Sequence, residues 1–427
     1  MPIPATFEAY YDCERKHFWI RDDRMSWVAL SIDALRLKLK TLGVGWKPSK
    51  TTGVSEIDRY IASLYTEKNV FYAGPMAGHK SGLIEQHGNR ILVTNSPKIM
   101  EPVKGAWPLF KKFLDQLLGD PTYPQADYFH GWLLFGRQCL ISEDYKPGQC
   151  LVLAGPPDCG KSFLQNRITT LLGGRAAKPY QYMAHDTNFN RELFAAEHLM
   201  IEDVISSTDI RARRNFGSRI KEFTVNEVQA CHGKNRDGIN VNPLWRMSIT
   251  VNDEPEDLMV LPPMIDSVAD KFILLRASKA EFPAETETFL AMLEHELPAY
   301  LWWLHNEWKM PEALKARRYG IASFQHPYLL NCLNDLSPEH ELWMLINRHC
   351  FQDGATLWKG NSARLQDCLS ETCKGRSEHL FKWSQACGTY LGRLAKQFPT
   401  RIIQSRTKHD RIWTILAGDK VDEPINE

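Results

Sequence analysis

One segment has a spacing of residues that could bind a nucleotide phosphate. Residues 155–162 read GPPDCGKS, which fits the pattern G-x-x-x-x-G-K-[ST]. A strand-like apolar run, CLVLA, precedes the pattern, and a helix-like run, SFLQNRITTLLGG, follows it. The glycines let backbone N–H groups turn towards the β-phosphate, and the start of the helix adds partial positive charge. The segment therefore predicts a phosphate-binding loop for ATP.

The side chains of this loop have different predicted roles. Lys161 would reach the β- and γ-phosphates, and Ser162 would be a ligand of Mg²⁺. The remaining positions supply the turn and its N–H groups, and they are Gly155, Pro156, Pro157, Asp158, Cys159 and Gly160. A chance glycine-rich turn is the competing interpretation, and the flanking strand and helix argue against it.

A phosphate loop also needs acidic residues at the end of a neighbouring strand. Residues 199–203 read LMIED, an apolar run that ends in two carboxylates. We assign Glu202 to the shell of Mg²⁺ and Asp203 to orienting or deprotonating the attacking water, or the two in exchanged roles. Taken alone, the segment would be an ordinary acidic strand end. Its position after the phosphate loop favours the catalytic interpretation.

A third strand-like run, MSITVN, ends in Asn252. An amide at that point could lie beside the γ-phosphate and hold the water that attacks it. Asn is also a common turn residue, so this assignment depends on the other two segments.

Residues 229–242, QACHGKNRDGINVN, read as two strands joined across Asn-Arg-Asp-Gly, because Asp-Gly favours hairpin turns. Three side chains near the tip, His232, Lys234 and Arg236, could contact DNA phosphates. A solvated surface hairpin with incidental charge is the alternative.

The order of these segments resembles superfamily 3 helicases, in the branch of the poxvirus and phage-type primase-helicases. That branch has a phosphate loop, an acidic strand end, a Lys-containing segment leading to a DNA-binding hairpin, and a strand ending in Asn. The resemblance covers roughly residues 105–280. It implies a hexameric ring of identical subunits that moves along single-stranded DNA, usually from 3′ to 5′.

The chain departs from this family at the cation that one subunit supplies to its neighbour's site. Many relatives have Arg a few residues before the last apolar core strand, where this sequence has Lys271. Lys lacks the bidentate fork of Arg, so either Lys271 substitutes imperfectly or Arg246 or Arg276 stabilises the transition state instead.

The elements that must position these residues predict an α/β fold, with a P-loop core like that of AAA+ ATPases. Four regions are expected. They are a small mixed α/β domain (1–104), a helical collar-like region (105–149), the ATPase core (150–325) and a C-terminal domain (338–418). In the first region we predict a helix around residues 30–42, and a polar hinge is expected from Pro327 to Pro338.

The C-terminal segment reads as helix, helix and a basic two-stranded wing, which resembles the winged-helix domains of phage and plasmid replication proteins. Its first predicted helix is LWKGNSARLQDCLSE. Arg406, Lys408 and Arg411 are candidate DNA contacts. A small domain that docks another protein is the alternative.

Composition places further limits on function. The 52 Lys and Arg nearly balance the 51 Asp and Glu, so any DNA contact must come from local patches. The ten cysteines have neither zinc-site spacing nor the density of a disulfide scaffold, which indicates reduced thiols in a cytoplasmic protein. We find neither an export signal nor an apolar run of membrane length.

These observations predict an ATP-dependent DNA helicase for the replication of a phage, plasmid or other mobile element. Single-stranded and forked DNA are the expected partners, with a separate primase as a further one. An ATP-dependent switch in origin recognition or defence remains the alternative. A P-loop kinase is disfavoured, because it has no use for the basic hairpin or the wing.

Overall fold

The computed structural model of the chain describes most of the sequence. The described residues are 7–184, 186–202, 210–234, 238–264, 266–281, 286–335, 338–351, 355–373, 380–381, 383–406 and 410–417. Asp203, Arg236 and Lys408, which the sequence singled out, lie outside this set. Within it, no helix is both long enough and apolar enough to span a membrane.

The chain divides into two compact units. The larger consists of Met1–Asp253 and Val260–His326, and the smaller of Glu254–Met259 and Pro327–Glu427. The smaller unit begins again at Pro327, where the polar hinge was predicted, and residues Pro327–Asp335 of that stretch form a helix.

The strands are numbered in chain order. They are β1 Ala9–Asp12, β2 His17–Arg21, β3 Trp27–Leu30, β4 Asn69–Val70, β5 Tyr72–Gly74, β6 Gly82–Gln86, β7 Asn89–Val93, β8 Cys150–Ala154, β9 Ala176–Ala177, β10 His198–Ile201, β11 Gln229–Cys231, β12 Ile239–Val241, β13 Arg246–Val251, β14 Phe272–Arg276, β15 Lys315–Ala316, β16 Gly320–Ile321, β17 Phe324–Gln325, β18 Leu357–Gly360, β19 Ile402–Arg406 and β20 Arg411–Leu416.

The helices are numbered in the same way. They are α1 Ile32–Thr41, α2 Glu56–Thr66, α3 Pro108–Leu118, α4 Gln125–Ser142, α5 Lys161–Leu171, α6 Tyr180–Met183, α7 Ile210–Val225, α8 Pro255–Leu258, α9 Asp266–Ala269, α10 Thr286–Asn306, α11 Pro327–Asp335, α12 Pro338–His349, α13 Ser362–Thr372 and α14 Ala386–Gln397. Short 3₁₀ helices span Arg191–Ala195 and Glu312–Leu314.

The N-terminal region of the larger unit mixes helices and strands. Its two sheets have the strand orders β3-β2-β1-β4 and β5-β7-β6. Helices α1 and α2 cover the first sheet, and Leu35, Leu39 and Ile61 share a buried cluster with Phe18. Helix α1 matches the helix predicted around residues 30–42, whereas α2 and strands β1 to β3 were not predicted.

A buried carboxylate joins this N-terminal region to the core. Glu197 is 0% exposed, and it accepts a hydrogen bond of 2.9 Å from the backbone N–H of Gly78. The guanidinium of Arg175 also donates to Glu197, from Nε at 3.0 Å. Such pairing is needed because an unpaired carboxylate in the interior is costly. The N-terminal region and the core therefore pack together around the Glu197 carboxylate, whose charge is balanced by Arg175 and by hydrogen bonds.

Six parallel strands form the sheet of the core, in the order β9-β10-β13-β8-β14-β17. Every residue of β8 and β10 is buried, as is nearly every residue of β13 and β14. Strands buried on both faces read as continuous apolar runs, so the sequence predicted these four correctly.

The register of this sheet aligns the carboxyl ends of its central strands. Ala154 of β8 pairs with Val251 of β13 on one side and with Arg276 of β14 on the other. Ile201 at the end of β10 pairs with Ile249. The phosphate loop, Glu202 and Asn252 thus emerge from the same edge of the sheet.

The predicted helical region covers the core with α3 and α4, which pack with α10. Phe110, Trp132 and Tyr300 belong to the same large buried cluster as Leu151 and Leu153 of β8. Helix α4 is buried on several sides, which explains why it carries apolar residues around much of its circumference.

A buried polar network fixes α5 over the sheet. The amide of Gln165 donates to Ser248 Oγ at 2.8 Å and to the carbonyl of Ile201 at 3.3 Å. His198 lies beneath it, with Nε2 at 2.7 Å from Ser248 Oγ and Nδ1 at 2.8 Å from Thr169 Oγ1. Burial lowers the pKa of His198 to about 3. The imidazole is therefore neutral in the folded protein at physiological pH.

The smaller unit contains α8 and, from residue 327 onwards, α11, α12, β18, α13, α14, β19 and β20 in that order. Its antiparallel sheet has the order β18-β20-β19, and Trp413 and Ile415 of β20 are buried with Leu365 and Leu391. The two-stranded wing was predicted, whereas reading LWKGNSARLQDCLSE as a helix from its first residue is wrong. Leu357–Gly360 forms β18, the third strand of the sheet, before α13 begins.

We predict that His198 makes folding sensitive to acid. Its pKa is about 3 in the fold against an ordinary 6.5, so this contribution to stability is complete above pH 6.5 and is lost as the pH falls towards 3. Urea unfolding should show that the free energy of unfolding falls between pH 6.5 and pH 5. The fall should be about 1–2 kcal/mol smaller in His198→Gln than in the wild type. His17→Gln, at an exposed position, is the control. Equal acid sensitivity of wild type and His198→Gln would contradict a neutral buried imidazole.

Candidate nucleotide-binding site

The loop between β8 and α5 has the backbone of an anion-binding turn. Asp158 and Gly160 adopt left-handed conformations, with φ of 55° and 111°. Left-handed residues in such a loop turn successive N–H groups into one concavity. Helix α5 begins at Lys161, and no side chain caps its N-terminus. Its first N–H groups are therefore suited to an anionic ligand.

Gly155 is required by the packing of this loop against the chain after β14. A Cβ atom at position 155 would lie 2.2 Å from the carbonyl oxygen of Ala277. The backbone N–H of Ala277 in turn donates to the carbonyl of Ala154 at 2.7 Å. The first glycine of the motif thus permits a close approach between two backbones.

The ammonium of Lys161 lies inside the loop. The side chain is 7% exposed, and Nζ donates to the carbonyls of Gly155 and Pro156, each at 2.7 Å. Asn252 Oδ1 lies 3.3 Å from the same Nζ. The structure therefore brings together the two residues that the sequence placed at the phosphate, although 91 positions separate them.

Glu202 follows β10 at the same edge of the sheet. Its carboxylate is 18% exposed and forms an ion pair with Lys178, with Oε2 at 2.9 Å from Nζ. Ser162 is exposed at the start of α5. Lys178 gave no signal in the sequence, because a single Lys after a short strand has many possible partners.

The cations considered for the neighbouring site lie at different edges. Arg276 ends β14 at the loop edge, and its backbone N–H donates to Gln125 Oε1 at 2.9 Å. Lys271 precedes β14 at the opposite edge, is 5% exposed and contacts Asp270. Arg246 is 7% exposed and donates to the Trp245 carbonyl at 2.9 Å. The supply of a cation across a subunit interface stays a prediction.

The predicted hairpin is present as the antiparallel pair β11 and β12, with Ala230 opposite Asn240. The strand β11 is held by Asn190, which is 3% exposed. Nδ2 of Asn190 donates to the carbonyl of Ala230 at 2.8 Å, and Oδ1 accepts from the N–H of His232 at 2.7 Å. His232 and Lys234 are exposed. The sequence gave no hint of Asn190, since an isolated Asn usually marks a turn.

In the smaller unit, two of the predicted DNA contacts face each other. Arg406 of β19 pairs with Arg411 of β20, and both are exposed. Like charges directly opposite each other on paired strands reduce stability, which suits a site that an anion neutralises. Arg401 of the same basic stretch has a structural contact instead, because its guanidinium lies 4.3 Å from the ring centroid of Trp343.

The whole chain resembles solved structures of one region of another protein. The A form apo structure of the NrS-1 C-terminal region matches 96% of this chain and 97% of its own, at 14% identity and a TM-score of 0.56. A second apo structure of that region, residues 305–718, matches at 13% identity with the same TM-score and covers 96% of each chain. These likenesses show a shared fold.

A third structure, SCCmec type IV Cch, described as an active helicase, matches 92% of this chain and 74% of its own. Its identity of 10% and TM-score of 0.32 are too low to bear on the fold or the activity. No protein-family model matches the chain, and no curated protein matches it significantly.

We predict that Gly155→Ala disrupts the phosphate loop. The added Cβ would meet the Ala277 carbonyl, so the loop must shift at a cost of about 1–3 kcal/mol. Calorimetry should show a lower Tm, and titration with a fluorescent ATP analogue should show binding at least about tenfold weaker. Gly392→Ala, where the nearest contact to a Cβ is 3.9 Å, is the matched control. Unchanged binding in Gly155→Ala would refute the close-packed loop.

Proposed function

We propose that the chain is an ATP-dependent DNA helicase whose subunits form a ring around single-stranded DNA. The observation that carries this proposal is the 3.3 Å approach of Lys161 Nζ to Asn252 Oδ1, at the edge of the sheet where Glu202 also emerges. A cation, an amide and a carboxylate converging beside an anion-binding turn are what ATP hydrolysis needs.

The residues of this site suit ATP and Mg²⁺. The turn at Asp158 and Gly160 and the uncapped start of α5 would hold the β- and γ-phosphates. Ser162 and Glu202 would hold Mg²⁺, which when bound neutralises charge on the phosphates. Oxygen ligands of this kind are those that Mg²⁺ prefers in phosphate sites.

Hydrolysis then depends on three side chains. Lys161 leaves the carbonyls of Gly155 and Pro156 to donate to the γ-phosphate. Its positive charge stabilises the negative charge that develops there in the transition state. Asn252 orients the attacking water, and Asp203 or Glu202 accepts its proton. The water oxygen bonds to the γ-phosphorus as the bond to the β–γ bridging oxygen breaks, which releases ADP and phosphate.

The DNA side of the proposal rests on the hairpin of β11 and β12. It presents the exposed Lys234 beside the ATPase core, next to the strand β11 that the core residue Asn190 holds. In a hexameric ring, six such hairpins would track the phosphates of one strand, as the family resemblance implies. Arg276, at the loop edge, would reach the neighbouring site, whereas Lys271 is 5% exposed and contacts Asp270.

The decisive experiment is the unwinding of a forked DNA duplex by the wild type and by Lys161→Ala. We predict that the variant loses both unwinding and DNA-stimulated ATP hydrolysis by about 100-fold or more, because the charge facing the γ-phosphate is removed. Strand displacement is followed by fluorescence, and phosphate release by a coupled assay.

Two results would change the proposed function. Hydrolysis that DNA stimulates without strand displacement would replace the helicase by an ATP-dependent switch. Hydrolysis with no response to DNA would exclude both and leave a P-loop enzyme with another substrate.

We also predict that the smaller unit binds duplex DNA through Arg406 and Arg411, as a winged-helix-like domain. Replacing both by Gln should reduce the slope of log affinity against log salt by about 2, since each phosphate contact contributes about 0.9. The same change should raise stability slightly, by about 0.2–1 kcal/mol, because two facing like charges are removed. Arg24→Gln, an exposed arginine of the N-terminal region, is the control. A gain in stability with unchanged DNA binding would instead favour a protein-docking domain.

A further inference from the structure

An open groove lies between the N-terminal region and the hairpin of the core, and the proposed chemistry of ATP does not use it. Its volume is about 810 Å³, and both of its sides belong to the larger unit. That volume falls within the range of about 300–1,000 Å³ that is usual for ligand sites. One side includes Arg15 and Trp19, and the other includes Phe189 and Lys234.

The described lining of this groove has an excess of positive charge. It contains Arg15, Arg191 and Lys234 but only one acid, Glu192. Arg191 is already engaged, because its guanidinium contacts Glu14 and lies 4.3 Å from the ring centroid of Tyr72. Arg15 and Lys234 are both exposed. The groove therefore presents two accessible cations from opposite sides, which favours an anionic ligand.

Aromatic rings accompany these cations. Phe189 is 44% exposed, although a phenylalanine ring gains most from burial. Trp19 is half-buried, and its ring N–H donates to Asp12 Oδ2 at 3.4 Å, which fixes the indole. Tyr72 is unsuitable for stacking, because Arg191 lies over its ring. Phe189 thus offers a π-face beside the cations, as proteins that bind single strands do, whereas the indole of Trp19 packs partly against the cluster of Trp27, Val70 and Ala73.

The neutral lining suits nucleobases. Asn95 and Gln181 are exposed amides in the groove, and Thr187 adds a half-buried hydroxyl group, whereas Thr94 is 8% exposed and donates its hydroxyl to Asn95 Oδ1 at 2.8 Å. Amides and hydroxyls can donate to and accept from base edges without selecting a single base. A polynucleotide satisfies all three features at once, since it carries phosphates, π-faces and base edges at regular spacing.

We infer that this groove binds a segment of single-stranded DNA next to the hairpin, an assignment that rests on the proposed helicase function and extends it to the N-terminal region. Continuity supports the assignment, because Lys234 belongs to both the groove and the hairpin. The chain is also continuous from Phe189 to Asn190, which clamps β11 of the hairpin. A strand bound at Lys234 would therefore have Phe189 in the same groove.

The test is the binding of a fluorescent oligothymidylate to the full chain, measured by anisotropy over a salt series. Phe189→Ala should weaken binding by about fivefold or more, because one stacked base is lost. Arg15→Gln should reduce the slope of log affinity against log salt by about 0.7, the contribution of one phosphate contact on a single strand. Phe71→Ala, where the ring is 47% exposed outside the groove, and Arg24→Gln are the matched controls and should bind as the wild type does.

Photocrosslinking tests the same contact independently of affinity. With p-benzoylphenylalanine in place of Phe189, irradiation should attach the oligonucleotide to the chain, and the same replacement of Phe71 should not. Both positions are exposed, so neither replacement disturbs the core.

The possible outcomes distinguish a failure of the groove assignment from a failure of the proposed function. Suppose that the wild type binds and unwinds DNA, that Phe189→Ala and Arg15→Gln bind equally well, and that position 189 does not crosslink. The groove assignment then fails, and the proposed helicase function stands. If the wild type does not bind the oligonucleotide, both fail. If thymidine monophosphate at the same phosphate concentration displaces the oligonucleotide, the groove is a mononucleotide site and the strand assignment is overturned.

Discussion

The amide of Gln165 sets the geometry on which the candidate site depends. It lies one helical turn after Lys161 and bonds to atoms of both β10 and β13, so it fixes the start of α5 relative to two strands at once. A buried amide that lost these partners would carry the full cost of desolvation, so alternative positions of the helix are unfavourable. Asn252 can approach Lys161 because the helix and its strand are held in this register.

Features with a local signature could be predicted from the sequence. The loop at residues 155–162 has a motif flanked by its own strand and helix, and the core strands are continuous apolar runs. The paired strands of the hairpin followed from Asp-Gly between two extended segments. Because these signals come from near neighbours in sequence, each could be read without knowing which distant segments pack together.

Features made by distant segments could not be predicted in this way. Ser248 and His198 sit in apolar strands, where a single polar residue does not reveal that it completes a network with α5. Strand β18 pairs with β20 from more than fifty residues away, and its four residues were absorbed into the helix that follows. The groove likewise needs Trp19 and Phe189 to come together from separate regions. The pairing of distant segments leaves no signal in the sequence close to either one.

The clamp at Asn190 has a mechanical consequence. Two strands of three residues each have little stability of their own, so the hairpin depends on bonds from its surroundings, among them those of the Asn190 amide to Ala230 and His232 and those of the Asn190 and Arg191 N–H groups to the His232 carbonyl. From that clamp the backbone runs through the 3₁₀ helix Arg191–Ala195 into β10, the strand that ends beside Glu202. One short stretch of chain, beginning at Asn190, therefore joins the hairpin to the end of β10 beside Glu202, so a displacement of the hairpin would bear on the position of Glu202.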